Sequence, residues 1–331
     1  MKKSLIALAV AGAFAAPAFA ASSNVDIYGQ ARVSINHGDK NAGWTVSDQV
    51  SRVGIKGSED LGGGMKAIWQ WESQLNNLDN NSTAGVSTAS VTGTTQRNTF
   101  IGLAGGFGTV LAGTHDSPYK LAGSADIFGD TAADSQKATS GIIGRNSFDT
   151  RANNATAYIS PDWSGFHFAI AGFAAEEGAA GNSRGLWGAQ SLALVYANGP
   201  LKVTGGWERY DKEFGAGGAE DKDAYKLNAA YKIGDVGLGL TWESSDPSNA
   251  AGTKKDKGLL ASITYGMGPI TLGYQYGKFD DKNGTADLTR NTVGAYYALS
   301  KRTQSYLAYN KDNNQTAADA ATWTVGLNHS F

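Results

Sequence analysis

Cysteine is absent from all 331 residues. With no disulfide to draw on, the small disulfide-stapled secreted folds are excluded, and so are Cys-based metal sites. Proline is scarce, at 6, and the 44 glycines follow no Gly-x-y period, which removes collagen. Simple disorder is equally excluded, because Trp, Tyr and Phe number 8, 14 and 12. Past the N-terminal stretch no run approaches about 18 uninterrupted apolar residues, so no transmembrane helix is expected. A basic excess is also missing: 28 Lys and Arg stand against 30 Asp and Glu, which argues against a nucleic-acid partner. The four histidines, His37, His115, His167 and His329, lie far apart. Neither a His-Glu-x-x-His pattern nor a nucleophile elbow is present. His115 beside Asp116 and Ser117 is the one suggestive local group, and adjacency at a strand end does not make a triad. No catalytic residue, cofactor or metal is therefore expected.

What is present begins with an export signal. Lys2 and Lys3 supply the positive region, Leu5 to Phe14 the apolar one, and Ala18-Phe19-Ala20 the small-x-small cleavage site. Residues 1–20 are expected to be removed and residues 21–331 to form one domain.

That domain alternates apolar and polar side chains over and over. Val25, Ile27, Ala31, Val33 and Ile35 oppose Asp26, Gln30, Arg32 and Ser34. Val236, Leu238, Leu240 and Trp242 oppose Gly237, Gly239, Thr241 and Glu243, and Trp323, Val325 and Leu327 oppose Thr322, Thr324 and Asn328. A strand sends successive side chains to opposite faces, so each segment is a ribbon with one oily and one wet side. In a soluble sandwich the oily faces would meet in a core of large aliphatics. Here they carry Ala and Gly as well, with aromatics toward the strand ends, as at Trp71, Trp242, Tyr265 and Tyr276. Aromatic girdles around an apolar belt, with charge on the opposite face, describe an outer-membrane barrel.

Connections alternate between short turns, such as Glu59 to Gly63 and Gly234-Asp235, and long polar loops at 38–48, 76–96, 115–152, 176–187, 212–222, 246–256, 280–289 and 312–320. Sixteen segments result, beginning 25–37, 49–58 and 64–75 and ending 303–311 and 321–331. The expected fold is all-β, a 16-stranded antiparallel transmembrane β-barrel with short periplasmic turns, long external loops and its last strand closed on its first. A barrel that wide leaves an aqueous channel instead of a packed interior.

Three stretches carry a resemblance: Val25-Asp-Ile-Tyr-Gly29, Ser51-Arg-Val-Gly-Ile-Lys-Gly-Ser-Glu-Asp-Leu-Gly-Gly-Gly-Met-Lys-Ala-Ile-Trp-Gln-Trp71, and Asn98-Thr-Phe-Ile-Gly-Leu-Ala-Gly-Gly-Phe-Gly-Thr109, together with the terminal Phe331. The chain resembles the general diffusion porins of Gram-negative bacteria, most closely the trimeric porins of β-proteobacteria. The resemblance implies a homotrimer in the bacterial outer membrane, with loop 76–96 latching onto a neighbour. It also implies contact with outer-membrane lipids, and a terminal Phe read by the barrel assembly machinery. It further implies that the third long loop, 115–152, folds inward and narrows the channel. Length and composition independently mark that loop, since Leu121, Ile127, Phe128, Ile142, Ile143 and Phe148 would anchor it to a wall. A surface loop in trimer contact is the alternative.

By motif position Arg52, Arg97 and Arg151 match the family's wall arginines, and Arg32 joins them because the alternation points it inward. Asp116, Asp126, Asp130 and Asp134 are the available carboxylates on the facing loop. Many relatives read Pro-Glu-Phe-Gly-Gly where this chain has Asp126-Ile-Phe-Gly-Asp130, so which of the four faces the arginines stays open. Leu111 and Thr114 stand where relatives often place arginine. The leading expectation is a water-filled channel for passive diffusion of small hydrophilic solutes and ions. A substrate-selective channel and an adhesin or receptor barrel remain as alternatives.

Overall fold

The computed structural model describes residues 25–39, 43–75, 94–137, 140–174, 185–212, 214, 220–248, 250–284, 286–314 and 320–331. The expected signal segment, and most of loop 76–96, lie outside the described residues. Strands run β1 (Val25–Gly38), β2 (Trp44–Asp48), β3 (Arg52–Gly62), β4 (Met65–Leu75), β5 (Thr94–Gln96), β6 (Thr99–Gly105), β7 (Gly108–Asp116), β8 (Arg151–Ile159) and β9 (Phe166–Phe173). They continue with β10 (Ala189–Asn198), β11 (Leu201–Tyr210), β12 (Lys222–Ile233), β13 (Val236–Ser245), β14 (Asp256–Met267), β15 (Ile270–Asp280), β16 (Leu288–Ala298), β17 (Thr303–Asn314) and β18 (Ala320–Ser330).

Each strand pairs antiparallel with its neighbours in chain order, and β18 pairs with β1, so the sheet closes on itself. β2 and β3 both pair with β1, end to end, and β5 and β6 both pair with β4. Each couple is one stave with a break, and the barrel has sixteen staves. The second stave differs from its expected 49–58: it starts at Trp44 and is interrupted near Val50, whose φ of 65° lies in the left-handed region. Pairing of Trp44–Asp48 with β1 wins over the turn-like Gly38-to-Gly43 composition that precedes it.

Burial is inverted relative to a soluble protein. Along β13, Leu238, Leu240 and Trp242 are 42%, 49% and 41% exposed, while Thr241 and Glu243 between and beyond them are buried. The same holds round the barrel, where Ile27, Ile101 and Val325 face out and Thr292, Gln275 and Thr324 face in. Such a continuous apolar exterior requires lipid, and a closed barrel satisfies every backbone group there without an edge.

One glycine packs the end of the seam between β18 and β1. Phe331 N donates to Gly29 O and Gly29 N to Phe331 O, both at 3.1 Å. The Phe331 ring lies across Gly29, where a Cβ would sit 2.4 Å from Cζ and 2.6 Å from Arg52 O. Gly29→Val is expected to cut the folded fraction several-fold on refolding, read by heat-modifiable gel mobility. Gly205→Val meets nothing within 4 Å and should refold as the parent does. Equal folded fractions would contradict the tight packing of Phe331 on Gly29.

Candidate functional site

Between β7 and β8 the chain turns into the barrel. Ser117 caps a short helix, α1 (Pro118–Leu121), by accepting from Lys120 N, and Pro118 occupies its first turn, where a missing N–H costs nothing. From there the loop crosses the inner wall, bonded stave by stave. Tyr119 N donates to Ser191 Oγ on β10, and Thr204 Oγ1 on β11 donates to Ala122 O at 2.5 Å. Ala125 N donates to Thr241 Oγ1 on β13, and Ile127 N to Gln275 Oε1 on β15. Tyr296 on β16 then donates to Ile127 O at 3.0 Å, and Arg290 to Asp134 O at 2.9 Å. Inward glycines leave room for this strap, with Gly294 under the Phe128 ring and Gly258 and Gly277 under Ile142. Phe128, Ile142, Ile143 and Phe148, four of the expected anchors, are at most 1% exposed, and Leu121 and Ile127 are partly buried. The third loop is therefore packed inside the barrel.

One knot holds the strap's return limb. Lys226 Nζ, fully buried, stands 2.5 Å from Asp149 Oδ1 and 4.0 Å from Glu243 Oε2, and lies over the Tyr119 ring. Glu243 also accepts from Tyr119 OH at 2.8 Å and from Gly144 N at 3.0 Å. Both ends of the loop thus meet at the same ion cluster.

The tip of the strap faces the opposite wall. Arg32 Nη1 is 2.9 Å from Asp130 Oδ2 and Arg52 Nη1 is 3.6 Å from the same oxygen. Arg97 Nε reaches Glu72 Oε1 at 2.5 Å, and Tyr28 OH donates to the other Glu72 oxygen at 2.9 Å. Asp116 receives Arg151 at 3.0 Å and Lys120 at 3.3 Å. All four arginines singled out in the sequence therefore stand on one wall, with Asp116 and Asp130 among them. Asp126 and Asp134 are placed differently. Asp126 accepts from Phe128 N and Ser135 N, and Asp134 from Asp130 N and Gln136 N, so both fold the turn that presents Asp130. Burial first, and then the adjacent Asp126 charge, pushes the Asp134 carboxyl well above the usual range.

Glu72 and Lys120 belong to this cluster and were not singled out in the sequence. Glu72 was legible as inward-facing on its strand, but its partners, Arg97 and Tyr28, come from other staves. Tyr28 reaches it because its ring lies over Gly54, which pairs with Glu72. Five cations, Arg32, Arg52, Arg97, Arg151 and Lys120, thus meet three carboxylates, Glu72, Asp116 and Asp130. Asp130, 39% exposed, and Lys120, 32% exposed, present the most side chain to the lumen. Among the described residues no group of three or more His, Cys, Asp and Glu is arranged to hold a metal.

A closed, oil-coated barrel with a polar lumen, spanned by a strap that brings opposite charges face to face, defines the class of outer-membrane channel proteins. The chain belongs to the Gram-negative porin family, whose model matches residues 7–317. Outer membrane porin protein 32 of Delftia acidovorans is 30% identical over 95% of this chain and 91% of its own. Major outer membrane protein P.IB of Neisseria lactamica is 28% identical over the full length of both. Among solved structures, the anion-selective porin from Comamonas acidovorans superposes with a TM-score of 0.74 at 22% identity, covering 93% of this chain and 99% of that one. The trimer form of OmpT from Vibrio cholerae gives 0.68 at 17% identity, over 93% and 99%. The outer membrane is therefore the protein's location, and its family consists of channels, not enzymes.

Proposed function

We infer that this porin passes small hydrophilic solutes and ions by passive diffusion through the gap between the strap and the arginine wall, with a preference for anions. The observation that carries the reading is the excess of cations over carboxylates in that cluster, five against three, set where the strap narrows the channel. Fixed charges on low-dielectric walls keep their field across a narrow aqueous gap, so the majority sign raises the local concentration of its counter-ion. Arg32, Arg52, Arg97 and Arg151 form the cationic wall, with Asp130 and Asp116 as its counter-charges. Asp126 and Asp134 set the tip's shape. The anion-selective porin with the same fold supports the sign. Oppositely charged groups across the gap also orient polar solutes and penalise apolar ones, since passage strips water that only a dipole recovers.

The chain acts as a homotrimer, with its apolar belt in contact with outer-membrane lipids and with neighbouring copies; the trimer form of a fold relative supports this. Removal of residues 1–20 during export, and recognition of Phe331 by the assembly machinery, complete the reading. Swelling of liposomes with sugars of increasing size tests it. A smooth fall of rate with solute size is the expected result. One sugar far above the trend would indicate a substrate-selective channel, and no swelling at all would contradict diffusion.

A further inference from the structure

The lipid-facing surface of the barrel is not uniform. Along the outer face of β16 runs a furrow of about 270 Å³, lined by Leu272, Val293, Ala295, Leu307, Tyr309 and Trp323. Register explains its shape. Ala295 lies level with Leu272 on β15 and with Leu307 on β17, so a single methyl group sits between two larger side chains. One row nearer the external end, Val293 lies level with Tyr274 and Tyr309 in the same way. Neighbouring strands are spaced so that β15 and β17 stand about 9.5 Å apart, which leaves room over Ala295 for one hydrocarbon chain.

The external end of the furrow is polar and basic. Continuing outward on the same face, Asn291 lies level with Tyr276 and Lys311, and Thr289 with Lys278 and Asn313. Tyr274 OH donates to Asn291 Oδ1 at 2.7 Å, which leaves the Asn291 amide NH2 as a donor. Lys278 and Lys311 are exposed, and alternation sends both to the lipid-facing side. Lys257 lies on that face of β14, level with Asp280, and Lys282 follows in the loop beyond.

Against these four cations stand two carboxylates. Asp280 is shared between Lys278 at 2.8 Å and Lys282 at 3.4 Å, while Asp287 Oδ1 accepts from Asp281 N. Lys257 and Lys311 have no carboxylate within 4 Å among the described residues. Arg209, which alternation sends outward on β11, is by contrast paired with both Asp211 and Asp221. The excess of outward positive charge therefore sits directly above the furrow.

We propose that this face seats one phosphate-bearing lipid of the external leaflet, its acyl chain in the furrow along β16 and its phosphate on Lys278 and Lys311. A membrane lipid places its phosphate at the interface and its chains toward the bilayer centre, the order in which the lysines and the furrow follow one another. Lysine suits the task, because its stem lies along apolar surface while its ammonium meets a headgroup phosphate as a point charge. An apolar seat alone accepts any chain, and a pair of lysines alone accepts any anion. Set in line, they select an anion carried on a chain. The site faces lipid and not the lumen, so it stands or falls independently of anion preference in conduction.

Native mass spectrometry of the purified full-length protein in detergent, with dioleoylphosphatidic acid, dioleoylphosphatidylcholine and inorganic phosphate as probes, tests this. One phosphatidic acid per chain is expected to be retained, at about tenfold lower lipid concentration than the phosphatidylcholine, which carries the same chains without net charge. The double variant Lys278→Gln, Lys311→Gln should remove that difference. Ala295→Trp fills the furrow without altering a charge, and should weaken retention of the phosphatidic acid by about tenfold. Heat-modifiable mobility verifies the fold of both variants, and the comparison of the two lipids on the parent protein is decisive without either. Equal retention of the two lipids, or retention of neither, overturns the site. Unchanged phosphatidic acid binding in the folded lysine variant overturns the phosphate seat, and in folded Ala295→Trp it overturns the acyl seat. Displacement of the lipid by an equal concentration of inorganic phosphate overturns the lipid in favour of a simple anion site.

Discussion

Lys226→Met is expected to release the strap while leaving the barrel closed. The ammonium is fully buried between Asp149 on the strap and Glu243 on β13, and the side chain of neither carboxylate is more than 6% exposed. Removing the cation leaves two like charges close together in low dielectric, and breaking a buried pair in this manner costs about 3–5 kcal/mol. That cost falls on the docking of residues 117–150, because the staves on either side of Lys226 are held by their own backbone ladders. Single-channel conductance in planar bilayers should rise and grow noisy, and the swelling rates of large sugars should rise toward those of small ones. The triple variant Lys226→Met, Asp149→Asn, Glu243→Gln should recover most of the original conductance, since no uncompensated charge remains. Parent-like conductance in Lys226→Met alone would mean that the strap is held elsewhere.

The second large effect is electrical. Arg32 and Arg52 both act on Asp130, so replacing them with glutamine removes two positive charges and leaves that carboxylate bare at the tip. Cations and carboxylates in the cluster would then be equal in number. The zero-current potential in a salt gradient should move in the direction of cation preference for each single variant and further for the double one. A matched change at the rim is the control. Arg209 is 41% exposed and paired with Asp211 and Asp221 beyond the strap, where salt screens charges more than about 8–10 Å apart. Arg209→Gln should leave the potential nearly unmoved. Equal shifts from Arg209→Gln and Arg52→Gln would remove the narrow gap as the source of selectivity.

Fold and site differ in how much of each is legible in the sequence. Strand faces were legible because lipid and water impose opposite demands at every second residue, as Leu238, Leu240 and Trp242 against Thr241 and Glu243 illustrate. The early start of the second stave at Trp44 was not, because Trp44–Asp48 becomes a strand through its pairing with β1 and follows a turn-like, Gly-containing stretch that reads as loop. Wall arginines followed from alternation and from resemblance. The roles of the four aspartates did not, since Asp126, Asp130 and Asp134 sit within nine residues and differ only in which backbone amides they meet. Glu72 escaped for a related reason: its partner Arg97 is 25 residues away along the chain and adjacent only through register. Alternation tells which way a side chain points, and register tells what it meets.

The most direct measurement is the zero-current potential of the unaltered protein in planar bilayers under a potassium chloride gradient. The five-to-three charge count predicts a potential of the sign set by chloride passing more readily than potassium, weakening as salt is raised. A potential of the opposite sign at low salt would contradict the arginine wall as the element that governs passage.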